Sequence, residues 1–294
     1  AKSYDKLKII KHLNMSKLKQ QVVIPRDGIY KVGQGFAVTS KYYVAAIVDC
    51  GTGGNGCHGE NAKILFYNRK TNKLVKSFKD KLGHANGLTV NPDTKKIYVT
   101  TRPYEVSYEN ISTKKSISPV AVKAFKSDIN AKSIAYDSAT NQYYLSIRES
   151  YINSKGDNKT RDMVYVYDSD FNFIKKFKAL KKNNQDCSAY KGLFLCGRFS
   201  VSPGKKIVKN VEKSTFKYYG AIDIYRVSDG SYLGTVTINT RSLKCEKSKK
   251  IYYGMEIEGF DYLGNNEFAL YYNSSGHCNG NASYIYTTSD LPIS

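Results

Sequence analysis

The sequence predicts an all-β protein, a five-bladed β-propeller of four-stranded antiparallel blades, and three observations predict it. A strand–turn–strand phrase recurs five times, most copies are followed by a second hairpin, and a lone strand precedes the first copy while the last copy lacks its rim strand.

The phrase occupies Gln34–Ala46, Asn86–Thr100, Lys132–Ser146, Gln185–Cys196 and Glu258–Leu270. Each copy runs from a short apolar strand through a polar turn into a strand rich in aromatic and β-branched residues. The starts are separated by 52, 46, 53 and 73 residues, a spacing suited to four-stranded units with variable loops. The second hairpins are Ala62–Phe78, Met163–Phe177 and Tyr219–Ile238, each turning at residues such as Asn or Asp-Gly. The last unit stops soon after Ala282–Tyr286, and Leu18–Ile24 stands ready to supply its rim strand, closing residues 1–294 into a single propeller domain. The amphipathic run Ser3–Leu13 fits a short helix or an extra edge strand equally well.

Composition narrows the class. The 294 residues carry 46 Lys+Arg against 25 Asp+Glu, a net charge of +21, with 26 Tyr, 12 Phe and no Trp. Aromatic content of 13% excludes a disordered basic chain. No window approaches the ~18 to 20 apolar residues of a membrane helix, and lysines interrupt the first twenty residues where a signal peptide would be apolar. The surplus of positive charge points to polyanionic partners.

Six cysteines pair sensibly on the repeat register as Cys50–Cys57, Cys187–Cys196 and Cys245–Cys278, with no C-x-x-C for a zinc ribbon. Three disulfides predict an oxidising, extracellular compartment, with Ala1 as the start of a mature or truncated form, and make nucleic acid an unusual partner. Six free thiols in a cytosolic protein are the alternative.

In a propeller the B-strand ends, B-to-C loops and D-to-A loops open on one face. Overlaying the five repeats puts Ile47, Arg102, Arg148, Arg198 and Tyr272 at the B-strand ends, so three consecutive blades present an arginine, although the chain has only eight. Planar guanidinium forks suit carboxylate, phosphate or sulfate, and the register therefore predicts an anion site at the central mouth. The alternative pairs each arginine with a carboxylate of its own blade, Glu105 for Arg102 and Glu149 for Arg148, with Arg161 and Asp162 left as loop residues. The A strands begin with Gln34, Asn86, Lys132, Gln185 and Glu258, a polar ring that lines the axis as ligand-binding groups or simply as a wet channel wall. On the neighbouring sector His58, Glu60, His84 and His277 form a candidate divalent-metal cluster, or merely cap turns in Gly- and Asn-rich loops; no other cofactor is expected. G-x-S-x-G, P-loop and H-E-x-x-H motifs are absent, and Asp49, Glu105, Glu149 and Glu258 have no spacing that selects a catalytic pair.

The stretches Gln34–Thr39 and Gly83–Val99 resemble secreted bacterial β-propellers, in particular helveticin J-like proteins, and more loosely YVTN-type and regucalcin-type repeats. The resemblance covers the first two blades best and implies secretion and a bacteriocin-like action on other cells. A regucalcin-like lactonase would need Glu, Asn, Asn and Asp at the axis, where this chain offers Glu258 and Asn86 but Lys132. The expected function is a secreted protein binding an acidic glycan or anionic cell-surface polymer. The alternatives are a hydrolase or lyase acting on a carboxylate-bearing sugar or ester, and a protein-interaction scaffold.

Overall fold

The computed structural model describes residues 7–49, 61–127, 129–182, 185–240, 242–274 and 276–294. Five antiparallel sheets follow one another, each with strands A to D. Blade 1 comprises Tyr30–Val38, Tyr42–Asp49, Ala62–Asn68 and Leu74–Asp80; blade 2 Gly87–Asn91, Lys96–Thr100, Tyr104–Ser107 and Val120–Ala121. Blade 3 comprises Ala131–Asp137, Gln142–Ile152, Asn158–Asp168 and Phe173–Lys178. Blade 4 comprises Cys187–Tyr190, Leu193–Val208, Val211–Arg226 and Tyr232–Asn239, and blade 5 Glu256–Gly264, Glu267–Asn273 and Asn281–Thr288. The D strand of blade 5 is Lys19–Pro25, antiparallel to Asn281–Thr288, which is the closure read from the repeats. Of the run Ser3–Leu13 before it, residues 3–6 lie outside the described residues, and His12–Leu13 forms an edge strand parallel to the D strand of blade 4. No described helix is long and apolar enough to cross a membrane.

The A strands contact one another in the cyclic order of blades 5, 1, 2, 3, 4 and back to 5, so the ring is closed. Valine, isoleucine, leucine and tyrosine from the faces of the B and C strands fill the space between blades, with Tyr143, Tyr144, Tyr225, Tyr271 and Tyr272 fully buried. This is the aliphatic-and-aromatic sheet packing that the alternating strands call for.

The axis is bridged by protein. Three A strands carry Gly after their first polar residue, and a Cβ at Gly87 would stand 2.6 Å from the Ser133 Cα, one at Gly35 2.7 Å from the Ala85 carbonyl oxygen. Blade 4 breaks the pattern with Asp186 after Gln185. Its carboxylate accepts hydrogen bonds from the backbone N–H of Phe36 (3.0 Å) and Leu88 (3.2 Å), the residues that follow those glycines, and from Cys187 (2.8 Å). One side chain thus ties blade 4 to blades 1 and 2 in the room that the glycines leave. Burial pushes the Asp186 carboxyl well above the ordinary range, against the pull of the three N–H donors.

Two disulfides lie among the described residues. Cys187–Cys196 links facing residues of the A and B strands of blade 4, and Cys245–Cys278 links a strand pair after blade 4, Lys244–Lys247 and Lys250–Tyr253, to the B-to-C loop of blade 5. Cys50 and Cys57 lie outside the described residues.

Two readings of the register need correction. The B strands of blades 3 and 4 do not end at Arg148 and Arg198 but continue to Ile152 and Val208, while that of blade 2 ends at Thr100, before Arg102. The polar residues after Arg148 and Arg198 look like loop, yet each finds a cross-strand partner on a long C strand, so the hairpins run on past the blade. Arg161 and Asp162 are likewise not loop residues: they lie in the C strand of blade 3, opposite Glu149 and Arg148.

Candidate anion-binding cleft

Cross-strand pairing builds the site. Arg148 on the B strand of blade 3 faces Asp162 on the C strand, and its Nε donates to Asp162 Oδ1 at 3.1 Å. Lys132, from the A strand, brings its Nζ to 3.8 Å from the same oxygen. Lys182, on the loop leading to blade 4, adds a third cation to this neighbourhood. Burial holds the Lys132 ammonium below the ordinary lysine range; Asp162 opposes that shift, and Arg148 and Lys182 add to it. The Asp162 carboxylate thus serves Arg148 and Lys132 at the edge of a cleft of about 300 Å³ that Lys182, Tyr151, Thr160, Arg161 and Lys178 also line.

The next pair along the same hairpin is balanced. Glu149 takes an ion pair from Arg161 (2.6 Å) and from Lys176 (2.9 Å) and a hydrogen bond from the Tyr165 hydroxyl. Burial alone would raise the Glu149 carboxyl, but these donors together outweigh it and hold it down at about 2. The Arg161 guanidinium lies 4.6 Å from the Tyr151 ring centre, which fixes the tyrosine against the cleft wall.

The other two arginines of the register sit in different settings. Arg198 makes a bidentate pair with the buried carboxylate of Asp223, at 2.7 and 3.2 Å, and Thr235 donates to the same carboxylate. It borders a separate cleft of about 400 Å³ with His12, Phe199, Tyr219 and Asn239. Arg102 is half-buried, makes no ion pair among the described residues, and its Nε has no partner. Glu105 is engaged by Lys96 at 2.6 Å instead.

The axial ring divides in the same way. Asn86 donates to the Lys132 carbonyl and Gln34 is buried. Gln185 donates to Glu256 (3.1 Å), and Asn273 donates to Glu256 and Glu258 (3.4 and 3.3 Å), gathering two carboxyls that hydrogen-bond each other. Burial first, then the neighbouring Glu256 charge, pushes Glu258 well above the carboxylate range. Tyr272 is fully buried in the core between blades 4 and 5.

Of the metal candidates, His58 and Glu60 lie outside the described residues. His277 stacks on Tyr252 with ring centres 4.3 Å apart, and burial, then Lys247, Lys250 and Arg26, lower its basicity. His84 stands in the loop entering blade 2. Among the described residues no group of three or more His, Cys, Asp or Glu is arranged to hold a metal.

Sequence reasoning missed Asp162 and Asp186. The signal for Asp162 was its place opposite Arg148 once the B and C strands are paired; for Asp186 it was the break in the polar-then-Gly pattern.

No protein-family model matches the chain, and no curated protein matches it. Among solved structures the chain is similar to the one titled "Structure of U3-55K", at 9% identity and a TM-score of 0.43 over 89% of this chain and 79% of that one. It is similar also to the Neurospora crassa Pan2 WD40 domain (9%, 0.43, over 95% and 98%) and to the RRP9 WD40 repeats (9%, 0.44, over 91% and 79%). Likeness at this level concerns the fold alone.

Proposed function

We propose that the protein is a secreted binding protein that takes an anionic group of a ligand, a carboxylate, sulfate or phosphate on an acidic glycan or cell-surface polymer, in the cleft beside Arg148. The observation that carries this reading is the pairing of Arg148 and Lys132 with the single carboxylate of Asp162, in a cleft that Lys182 also lines. Arg148, Arg161, Lys178 and Lys182 line the cleft beside the Asp162 carboxylate, and a guanidinium already oriented by Asp162 loses little freedom on binding an anion. Tyr151, held by Arg161, offers a face for a sugar ring. Two disulfides favour an oxidising compartment, in keeping with the resemblance of the first two blades to secreted helveticin J-like propellers.

The test is thermal melting against sialic acid, uronates and sulfated or phosphorylated glycans at low and moderate salt. A ligand at about a hundred times its Kd contributes about 2.7 kcal/mol, a rise of about 4 °C in Tm for a chain of this size. The rise is expected in the wild type and not in Arg148→Ala. If only long polyanions shift the melt, moderate salt abolishes the effect and Arg148→Ala behaves as wild type, the cleft is not the site. Release of product from any panel member would move the reading to the hydrolase or lyase alternative.

A further inference from the structure

Blade 4 carries an appendage that the propeller does not need. Its B and C strands stay paired from Val201↔Tyr218 out to Val208↔Val211, beyond the last contact of the C strand with its D strand at Tyr219↔Asn239. Eight residue pairs make an arm about 25 Å long. Lys250–Tyr253 flanks its base, parallel to Ser214–Lys217, and Cys245–Cys278 fastens that flank to blade 5. The tip turns on Lys209 and Asn210, both at positive φ (48° and 61°), as a tight two-residue hairpin requires.

Charge and apolar surface coincide there. Residues 200–218 and 244–250 hold nine lysines and two glutamates, a net of +7 out of the chain's +21. Both glutamates are already paired, Glu212 with Lys205 and Glu246 with Lys213. At the apex Ile207 is 72% exposed and Val211 44% exposed, framed by Lys206 and Lys209. Other large exposed apolar side chains outside the rim strands stand at the far end of a B strand, as Ile152 does, or in a D-to-A segment, as Leu180 does, and these open on the same face.

We infer that this arm docks the protein on an anionic lipid bilayer, its lysines among the headgroups and Ile207 and Val211 dipping into the acyl boundary. Lysines alone would suit any polyanion; aliphatic side chains exposed at the apex of a basic arm suit a surface with apolar material beneath the charge. The inference is independent of the cleft beside Arg148.

The experiment is flotation of the full chain with vesicles of phosphatidylcholine alone and of phosphatidylcholine mixed with phosphatidylglycerol, with soluble polyphosphate as a second probe. Wild type is expected to bind the mixed vesicles and not the neutral ones. Ile207→Ser combined with Val211→Ser, both at exposed positions, is expected to weaken vesicle binding about tenfold while leaving polyphosphate binding and Tm unchanged. Lys206→Glu with Lys209→Glu should weaken both. Vesicle binding that the apolar variant leaves intact overturns the inference, as does binding to polyphosphate without binding to vesicles, or an arm that instead drives self-association of the chain.

Discussion

Arg148 and Glu149 are neighbours in sequence and opposite in circumstance. Glu149 is surrounded by donors, whereas Arg148 shares Asp162, its one acceptor among the described residues, with Lys132. The difference has a measurable consequence in acid. Because the Glu149 carboxyl is depressed from 4.5 to about 2, its contribution is complete above about pH 4.5 and is lost as the pH falls toward 2. With solvent and salt reaching the rim of the cluster, the amount is roughly 1 to 2 kcal/mol. Glu149→Gln should therefore be less stable than wild type at neutral pH, and the gap should close on acidification; urea titrations from pH 7 to pH 2 measure it. A constant gap would mean that the carboxylate contributes by packing rather than by charge. At this scale the sequence was only partly legible. It offered the three arginines, but the acceptors of Arg148 and Arg198, Asp162 and Asp223, lie 14 and 25 residues further along and come into view only when strand is laid against strand.

Elements were easier to read, because period-two alternation and turn residues report a strand directly. The closing strand is the clearest case: Val22 and Ile24 point into the core on a segment whose only use is to complete the blade that Asn281–Thr288 leaves unfinished. The arm was written in the spacing, since the unit from Gln185 to Glu258 is 73 residues long where the others are 46 to 53. Its identity as a continuation of two strands was not, because Ser200–Lys206 is polar and contains Pro203 and Gly204, residues that ordinarily end strands. The Cys245–Cys278 bond belongs to the same region and closes a span of 33 residues. By the chain-entropy argument its removal costs about 3 to 4 kcal/mol. Cys245→Ser with Cys278→Ser should lower Tm by about 6 °C. The pair Cys187–Cys196, separated by 9 residues, should matter less when replaced in the same way, and an equal or larger effect there would contradict the entropic account.

For the whole molecule, the closed ring of A strands turns a set of hairpins into one scaffold, with Asp186 tying blade 4 to blades 1 and 2 and the described D-to-A and B-to-C segments opening on one face. That face was legible from the repeat alone. Its division into unlike sites was not, because five similar backbones carry different acceptors: Arg198 is satisfied inside blade 4, Arg102 stands apart in blade 2, and in blade 3 Arg148 and Lys132 share the Asp162 carboxylate. A calorimetric titration of the best ligand of the melting panel into wild type, Arg148→Ala and Arg102→Ala decides whether the blade 3 cleft is the site. At least about a tenfold weaker Kd is expected for Arg148→Ala, the loss of one charged hydrogen-bond partner, and no change for Arg102→Ala. Equal weakening in both variants would place the ligand at a mouth shared by the blades, and an unchanged Kd for Arg148→Ala would mean that the blade 3 cleft does not bind it.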